Sequence, residues 1–307
     1  MTTAAGGSTF ATIGGGTGQK ESLLNELKLT IVDATYFVGN MAESMKPNNP
    51  THLYNQDTLA KSSVSTYTII EGQPISLSAP AELTQATNWV EELAVPISVS
   101  DIMAETKYGG ADDRVLYETK KALKRLGMAI ESSLILSTGY SGTSAAGRKS
   151  IGLAKHCTAT TGVTGAGSSG AAFATTASGQ SKVDEVIELM FENGAPANVM
   201  VVSAFNARMM SQWTDYGTLT TPTQPTTKGL RINVYRTNFG DVKVIVSTYQ
   251  PDTMVGLIDE NEYFLNWMIK PKIEDVARVN FAQDFAAHAA FTNEARVAAA
   301  FGNVTLS

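Results

Sequence analysis

The patterns in this chain that resemble nucleotide-binding motifs fail at positions that the chemistry requires. The glycine-rich run Gly14–Lys20 (GGGTGQK) resembles a phosphate-binding loop, in which backbone N–H groups surround the phosphates. Such a loop needs Gly directly before Lys and Ser or Thr directly after it, but Gln19 and Glu21 occupy these two positions. Gln19 also replaces the third glycine of a dinucleotide-binding pattern. We interpret the run as part of a flexible N-terminal tail.

Histidine, cysteine and paired acidic residues give no recognisable catalytic group or metal site. His156 and Cys157 are adjacent and could form a Cys/His pair or half of a metal site, but no further ligands follow closely. The alternative is a loop histidine beside a small, half-buried thiol. Asp112 and Asp113 could act as paired carboxylates, or they could stabilise a helix N-terminus. The run Gly139–Gly142 (GYSG) stops one residue short of a serine-nucleophile motif. The sequence therefore predicts no catalytic residue, no cofactor and no metal.

A cluster of basic residues is a candidate binding surface. This basic stripe consists of Lys120, Lys121, Lys124 and Arg125. It could contact the DNA backbone or acidic groups of a neighbouring molecule, such as Glu91 and Glu92, and a solvated helix face is the alternative. The sequence contains no motif for reading DNA bases, so a contact with DNA would be non-specific.

The composition argues against a general nucleic-acid-binding protein and against a membrane protein. The 307 residues carry a formal net charge of −6 and the pI is about 5.2, whereas nucleic-acid binding usually requires a basic face. No run of about 18 apolar residues could span a membrane, and the N-terminus lacks the apolar segment of a signal peptide. The single cysteine excludes an internal disulfide framework and fits a reducing cytosol.

Two long elements would position the charged residues. Residues 49–100 predict an extended hairpin arm, whose tip near Lys61–Pro80 offers few large apolar residues to bury. A helix is predicted over 111–137, roughly 40 Å long at ~1.5 Å per residue. Its apolar stripe consists of Leu116, Leu123, Leu126, Ile130 and Leu134. An arm that cannot bury its own residues is expected to bind a neighbouring molecule, which indicates assembly rather than catalysis.

Gly127 lies midway along this predicted helix. Glycine there costs roughly 0.5–1 kcal/mol relative to alanine. It could permit close packing of a neighbouring strand, or it could be a soft point at which the helix bends.

The rest of the chain predicts a module between two flanking segments. Residues 141–268 predict a compact α/β module, and residues 1–48 an N-terminal arm. Residues 101–140 and 269–307 are expected to meet outside the module as a long helix and a sheet. Lys270–Pro271 marks the boundary of the second segment.

The order of these parts resembles the HK97-type major capsid fold, an α+β architecture. Specific segments are similar to the SU10-type phage major head proteins. These segments are Leu83–Asn88, Val95–Ser100, Tyr108–Gly110, Glu118–Arg125, Ile130–Glu131 and Arg148–Leu153.

The resemblance implies a role for each part. The arm over 49–100 would be the E-loop and lie over an adjacent subunit. Residues 101–140 and 269–307 would form the P-domain, with its spine helix over 111–137. Residues 141–268 would form the A-domain, with the loop Thr218–Gly229 near the capsomer axis.

The resemblance also implies partners. Subunits would form hexamers and pentamers of an icosahedral shell around packaged double-stranded DNA, assembled in the host cytoplasm. Portal, scaffold and decoration proteins would be further partners. A separate scaffold is expected because some members begin with a scaffolding segment, whereas this chain begins with a short arm.

Two other classes of function compete with a capsid protein. A tail or decoration protein would favour trimers or rings over closed shells. An α/β enzyme using the middle module would need a convergent polar cluster, and the sequence offers none with recognisable spacing.

Overall fold

The computed structural model describes residues 35–56, 68–72, 74, 83–106, 114–143, 146–158, 163–168, 173, 179–213, 234–278 and 281–306. The glycine-rich run, Asp112–Asp113 and the loop Thr218–Gly229 lie outside these residues. The chain forms two compact units. The described residues of Ala94–Leu126 and Lys272–His288 belong to the first unit, and those of Ala34–Leu93, Gly127–Pro271 and Ala289–Ser307 to the second.

Six α-helices lie in the described residues. They are α1 (Tyr36–Asn40), α2 (Asp101–Glu105), α3 (Arg114–Leu136), α4 (Leu153–Thr158), α5 (Ser181–Glu192) and α6 (Ala204–Met210). Single 3-10 turns occur at Glu260–Glu262 and Ala298–Ala300. None of the described helices combines the length and apolar character that crossing a bilayer requires.

The base of the arm is the antiparallel hairpin that the sequence predicts. Strand β1 (Thr51–Gln56) pairs with β2 (Thr84–Trp89), so that Thr51 lies opposite Trp89. The chain then continues into β3 (Glu91–Ser100). Because β3 pairs with a later strand and not with β1, the hairpin ends at Trp89.

Strand β3 belongs to a three-stranded sheet of order β11–β12–β3, where β11 is Tyr263–Asp275 and β12 is Ala282–Ala295. The boundary predicted at Lys270–Pro271 coincides with the division between the two units, which falls after Pro271, although β11 runs through it without interruption. Proline lacks the N–H donor that a central strand needs, and β11 lies at the edge of this sheet, where a missing donor is tolerated.

The second unit contains a six-stranded sheet of order β6–β13–β10–β7–β9–β8. Its strands are β6 (Val163–Ser168), β7 (Val199–Val202), β8 (Val234–Thr237), β9 (Gly240–Val246), β10 (Met254–Ile258) and β13 (Phe301–Leu306). The predicted α/β module is therefore present but incomplete without the C-terminal strand. Assigning all of 269–307 to the flanking sheet is wrong for β13, because Val304 and Leu306 are buried in this core.

Helices cover both faces of the six-stranded sheet, as the alternation along β13 shows. The ring of Phe301 lies 5.5 Å from that of His156 on α4. The next residue, Gly302, points the other way: a Cβ built on it would lie 2.6 Å from Cγ1 of Val186 and 2.7 Å from Sδ of Met190, both on α5. Successive residues of a strand face opposite sides, so α4 and α5 lie on opposite faces.

The long helix α3 is buried along only part of the predicted stripe. Leu126, Ile130 and Leu134 are fully buried, but Leu116 and Leu123 are exposed by 49% and 37%. The described chain therefore buries only the last three members of the stripe. The helix contributes 114–126 to the first unit and 127–136 to the second, so its two halves lie in different packing environments.

A second small hairpin links α3 to α4. Strand β4 (Thr138–Tyr140) pairs antiparallel with β5 (Lys149–Ile151), which places Tyr140 opposite Lys149. The Gly152 N–H donates to the Ser137 carbonyl at 2.7 Å, and α4 begins at the next residue. A Cβ on Gly152 would lie 2.8 Å from the Ser133 carbonyl oxygen, so only glycine permits this approach.

Candidate assembly surfaces

The root of the arm is fixed by a buried polar network that the sequence analysis did not find. The Nε2 atom of His52 lies 2.6 Å from Oε1 of Glu294, and both side chains are almost fully buried. Asn266 donates to the same carboxylate oxygen at 2.6 Å, and Arg296 donates to the other at 3.1 Å. Burial raises the pKa of Glu294, but the hydrogen bonds with His52 and Arg296 outweigh it and hold the pKa below its ordinary value.

A second buried group joins β2 of the arm to the body of the second unit. The Asn88 amide donates to the backbone and side-chain oxygens of Asn293, at 2.8 and 2.6 Å, and its oxygen accepts from the Ile151 N–H at 2.9 Å. Asn293 in turn donates to the Tyr263 hydroxyl, which donates to the Leu134 carbonyl. Because each group has a partner inside the unit, the base of the arm is rigidly held.

The arm also exposes large apolar side chains. Ile69 and Ile70 are exposed by 58% and 69%, and Leu53 and Leu83 by about half. A lone exposed apolar residue is ordinary, but an adjacent pair of exposed isoleucines is a surface that a partner can bury.

Glu91 is not available to a neighbouring molecule, in contrast to the prediction from the sequence. Its carboxylate accepts hydrogen bonds from the Ser133 hydroxyl, from the Ser150 N–H at 3.0 Å and from the Ser150 hydroxyl at 3.1 Å. The side chain is buried, because β3 begins against α3 and β5 at this point. Glu92, the next residue, is exposed.

Glu131 is a second buried carboxylate with a structural role. It accepts from the backbone N–H groups of Phe37 at 2.9 Å and Val38 at 3.0 Å, which lie in the first turn of α1 and have no partner within that helix. Burial raises the pKa of Glu131, although these hydrogen bonds oppose the shift. The carboxylate therefore anchors α1 to α3.

Three residues of the basic stripe on α3 are exposed, and the fourth is half-buried near an acidic residue. Lys120, Lys124 and Arg125 are exposed, and Lys121 is half-buried with Nζ 3.6 Å from Glu118. Arg125 also lines a cleft of about 300 Å³ within the first unit, between α3 and Ile97 and Val99 of β3.

The first unit also exposes apolar side chains on and next to α2. Ile102 on α2 is 82% exposed and Phe281, whose carbonyl accepts from the Asp101 N–H, is 91% exposed. Exposed groups of this size mark candidate contact surfaces in a protein that assembles.

Gly127 lies within α3 with room beside it. A Cβ at this position would meet only the Cγ2 atom of Thr35, at 3.8 Å, among the described residues. This is an ordinary van der Waals contact, so packing inside the described chain does not require glycine here.

His156 and Cys157 lie in α4 rather than in the predicted loop, and both are buried. Burial among aromatic rings lowers the pKa of His156 to about 4, despite a hydrogen bond with Asn293, and burial raises that of the Cys157 thiol far above its usual value. No three potential ligands among His, Cys, Asp and Glu come together in the part of the chain that the structure describes.

Comparison with known families decides which of the predicted functions is right. The model of the SU10 major capsid protein family matches residues 3–306. The chain belongs to the SU10 major capsid protein family. It is therefore a shell-forming structural protein of the virion and not an enzyme, as predicted from the sequence. No curated protein sequence is similar enough to this chain to count as a match.

Several solved structures share the fold of this SU10-family chain. The capsid of a native GTA particle is 15% identical with a TM-score of 0.70, over 99% of this chain and 100% of that chain. A structure of Microbacterium phage Oxtober96 is 11% identical with a TM-score of 0.61, over 98% and 99%. The encapsulin of Synechococcus elongatus PCC 7942 is 9% identical with a TM-score of 0.59, over 95% and 92%. The predicted HK97-like, α+β fold is confirmed.

Proposed function

We propose that this capsid protein forms hexamers and pentamers of an icosahedral shell around packaged double-stranded DNA, assembled in the host cytoplasm. The observation that carries the proposal is an arm held rigidly at its root, with exposed Ile69 and Ile70 beyond it. The root holds strands β1 and β2 in place, and the exposed isoleucines gain stabilisation only when another molecule covers them.

The parts of the chain take the roles of the capsid fold. The arm, which ends at Trp89 because β3 belongs to the three-stranded sheet, is the E-loop over 49–89 and lies over an adjacent subunit. The P-domain comprises 101–140 and 269–300 with α3 as its spine helix, and the A-domain comprises 141–268 completed by β13. Many weak contacts between such parts stabilise a shell while leaving each contact reversible.

Other components of a virion are the remaining partners. The basic stripe contacts packaged DNA without base specificity or pairs with acidic groups of a neighbouring subunit, such as the exposed Glu92. Portal, scaffold and decoration proteins bind the assembled shell or its precursor.

Electron microscopy of the purified full-length protein tests the proposal. We expect closed particles, whereas only trimers or open rings would contradict it. In a second variant, a short Gly/Ser linker replaces residues 60–80 and leaves β1 and β2 intact. This subunit should fold, because the root contacts remain, but should give few or fragile particles.

The matched control separates arm length from arm chemistry. Ile69→Ser with Ile70→Ser keeps the length of the arm and removes only its exposed apolar groups. Particles as stable as those of the parent from both variants would refute the role assigned to the arm.

A further inference from the structure

The second unit carries two exposed aromatic surfaces of opposite charge. On α5, Phe191 is 49% exposed and its ring lies 5.2 Å from that of Phe239 in the β8–β9 turn. The helix buries Val183, Val186, Ile187 and Met190, which turns Phe191 outward together with Glu188 and Glu192. We call Glu188, Phe191, Glu192 and Phe239 the aromatic–acidic patch. Neither of its carboxylates has an ion-pair partner among the described residues.

The other surface lies on the β4–β5 hairpin and on α4, which follows it. Tyr140 is 38% exposed and lies opposite Lys149 across the hairpin. Arg148 and Lys155 are also exposed, and none of the three cations has an acidic partner in the described part of the chain. We call Tyr140, Arg148, Lys149 and Lys155 the aromatic–basic patch.

The helices that contribute to the two patches, α4 with Lys155 and α5 with Glu188, Phe191 and Glu192, lie on opposite faces of the six-stranded sheet. Phe301 of β13 contacts His156 on α4, whereas Gly302 faces Val186 on α5. Lys155 points outward from α4, and Glu188 and Phe191 point outward from α5. The module therefore presents Lys155 on one side of the sheet and Glu188 and Phe191 on the other.

We propose that the aromatic–acidic patch of one copy binds the aromatic–basic patch of the next copy in the ring, a contact that rests on the proposed function. Two-fold pairing of either patch with itself would place like charges together, which is unfavourable. Two different, complementary surfaces instead repeat head to tail, and such heterologous contacts close into rings. The aromatic rings supply the apolar centre and the charges the polar rim that protein interfaces share.

Charge reversal on each side tests this contact. Variant A is Glu188→Lys with Glu192→Lys, and variant B is Arg148→Glu with Lys149→Glu. Each should fold with the melting temperature of the unassembled parent, because all four side chains are exposed. Each alone should lower the yield of rings and particles roughly tenfold or more, because like charges then meet at every contact.

The mixture of the two variants gives the sharper outcome. In an equal mixture, the reversed acidic patch of A, now basic, can bind the reversed basic patch of B, now acidic. The unaltered acidic patch of B can likewise bind the unaltered basic patch of A. Alternation restores every contact in a six-membered ring, but a five-membered ring keeps one mismatch. Native mass spectrometry should therefore show mixed hexamers containing equal numbers of A and B, with pentamers remaining scarce.

A control variant exchanges the internal pair of α5, Lys182→Glu with Glu185→Lys, whose side chains lie 2.7 Å apart. It keeps the helix charge unchanged and should assemble like the parent. If A or B alone assembles like the parent, or if the mixture gives no hexamers although both variants fold, the contact is refuted. If the parent itself forms neither rings nor shells, the proposed function fails, and this contact fails with it.

Discussion

Replacing Glu91 by alanine should destabilise the subunit strongly, although the sequence alone assigned this residue to contacts between molecules. Its buried carboxylate accepts from the Ser133 hydroxyl and from both the N–H and the hydroxyl of Ser150. Removing the acceptor leaves up to three donors unpaired, and each unpaired buried donor costs about 1–3 kcal/mol. Partial access of water reduces the sum, so we expect a loss of about 3–5 kcal/mol in the free energy of unfolding.

Glu92 provides the matched control, because it has the same side chain at the adjacent position and is exposed. Glu92→Ala should change the free energy of unfolding by no more than about 0.5 kcal/mol. Glu91→Gln should lie between the two alanine variants, because the amide oxygen still accepts while its NH₂ group faces donors.

Denaturant unfolding of unassembled subunits measures these differences. At roughly 2 °C per kcal/mol for a chain of this size, Glu91→Ala should also lower Tm by about 6–10 °C. Hydrogen exchange at the Ser150 amide should accelerate in Glu91→Ala and stay unchanged in Glu92→Ala. Equal, small effects of both variants on stability, combined with lost assembly in Glu91→Ala, would refute this reasoning and restore the intermolecular role.

Further predictions concern the helix glycine, the basic stripe and the buried carboxylate of Glu294. Gly127→Ala should raise the free energy of unfolding of the subunit by roughly 0.5–1 kcal/mol, because the methyl group has room beside Thr35. If Gly127 is a point of bending, precursor shells of this variant should be scarcer or expand early, and equal loss of Tm in precursor and mature particles would contradict bending. Neutralising the basic stripe to Gln should change subunit stability by at most about 0.5 kcal/mol, because its members are mostly exposed. Particle yield or DNA content should fall if the stripe binds a partner, and unchanged infectivity would favour a solvated face. The pKa of Glu294 is lowered by folding, so its contribution to stability is present at neutral pH and is lost as pH falls through the folded pKa. The Tm difference between the parent and Glu294→Gln should therefore shrink below about pH 4, and a constant difference from pH 7 to pH 3 would contradict an ionised Glu294 carboxylate.

Local patterns were sufficient for the elements that depend on neighbouring residues in the chain. The hairpin base follows from the extended pattern and turn residues of the arm, and the structure has it. The long helix also follows from its spacing of apolar residues. Its buried face does not, because the same spacing cannot show that Leu116 and Leu123 lie where the described chain leaves them exposed.

The buried polar groups could not be found from the sequence. His52 and Glu294 are separated by 242 positions, and Asn88 and Asn293 by 205, so no motif relates them. Glu91 and Glu92 differ in no local property, and only the approach of α3 and β5 buries the first of them. Burial decides which polar residue holds two segments together through hydrogen bonds, and burial is a property of tertiary packing.

The sequence by itself determined the class of the protein. Local information is sufficient to recognise an arm, a long helix and a mixed module in this order, and to recognise the segments similar to SU10-type head proteins. Tertiary structure decided which strands share a sheet. β13 completes the six-stranded sheet because Val304 and Leu306 fill its core, far along the chain from the other strands. It also decided which charges remain available to partners, since strand pairing and packing engage Glu91 and Glu131 inside the fold and leave Glu188, Glu192 and Arg148 at the surface.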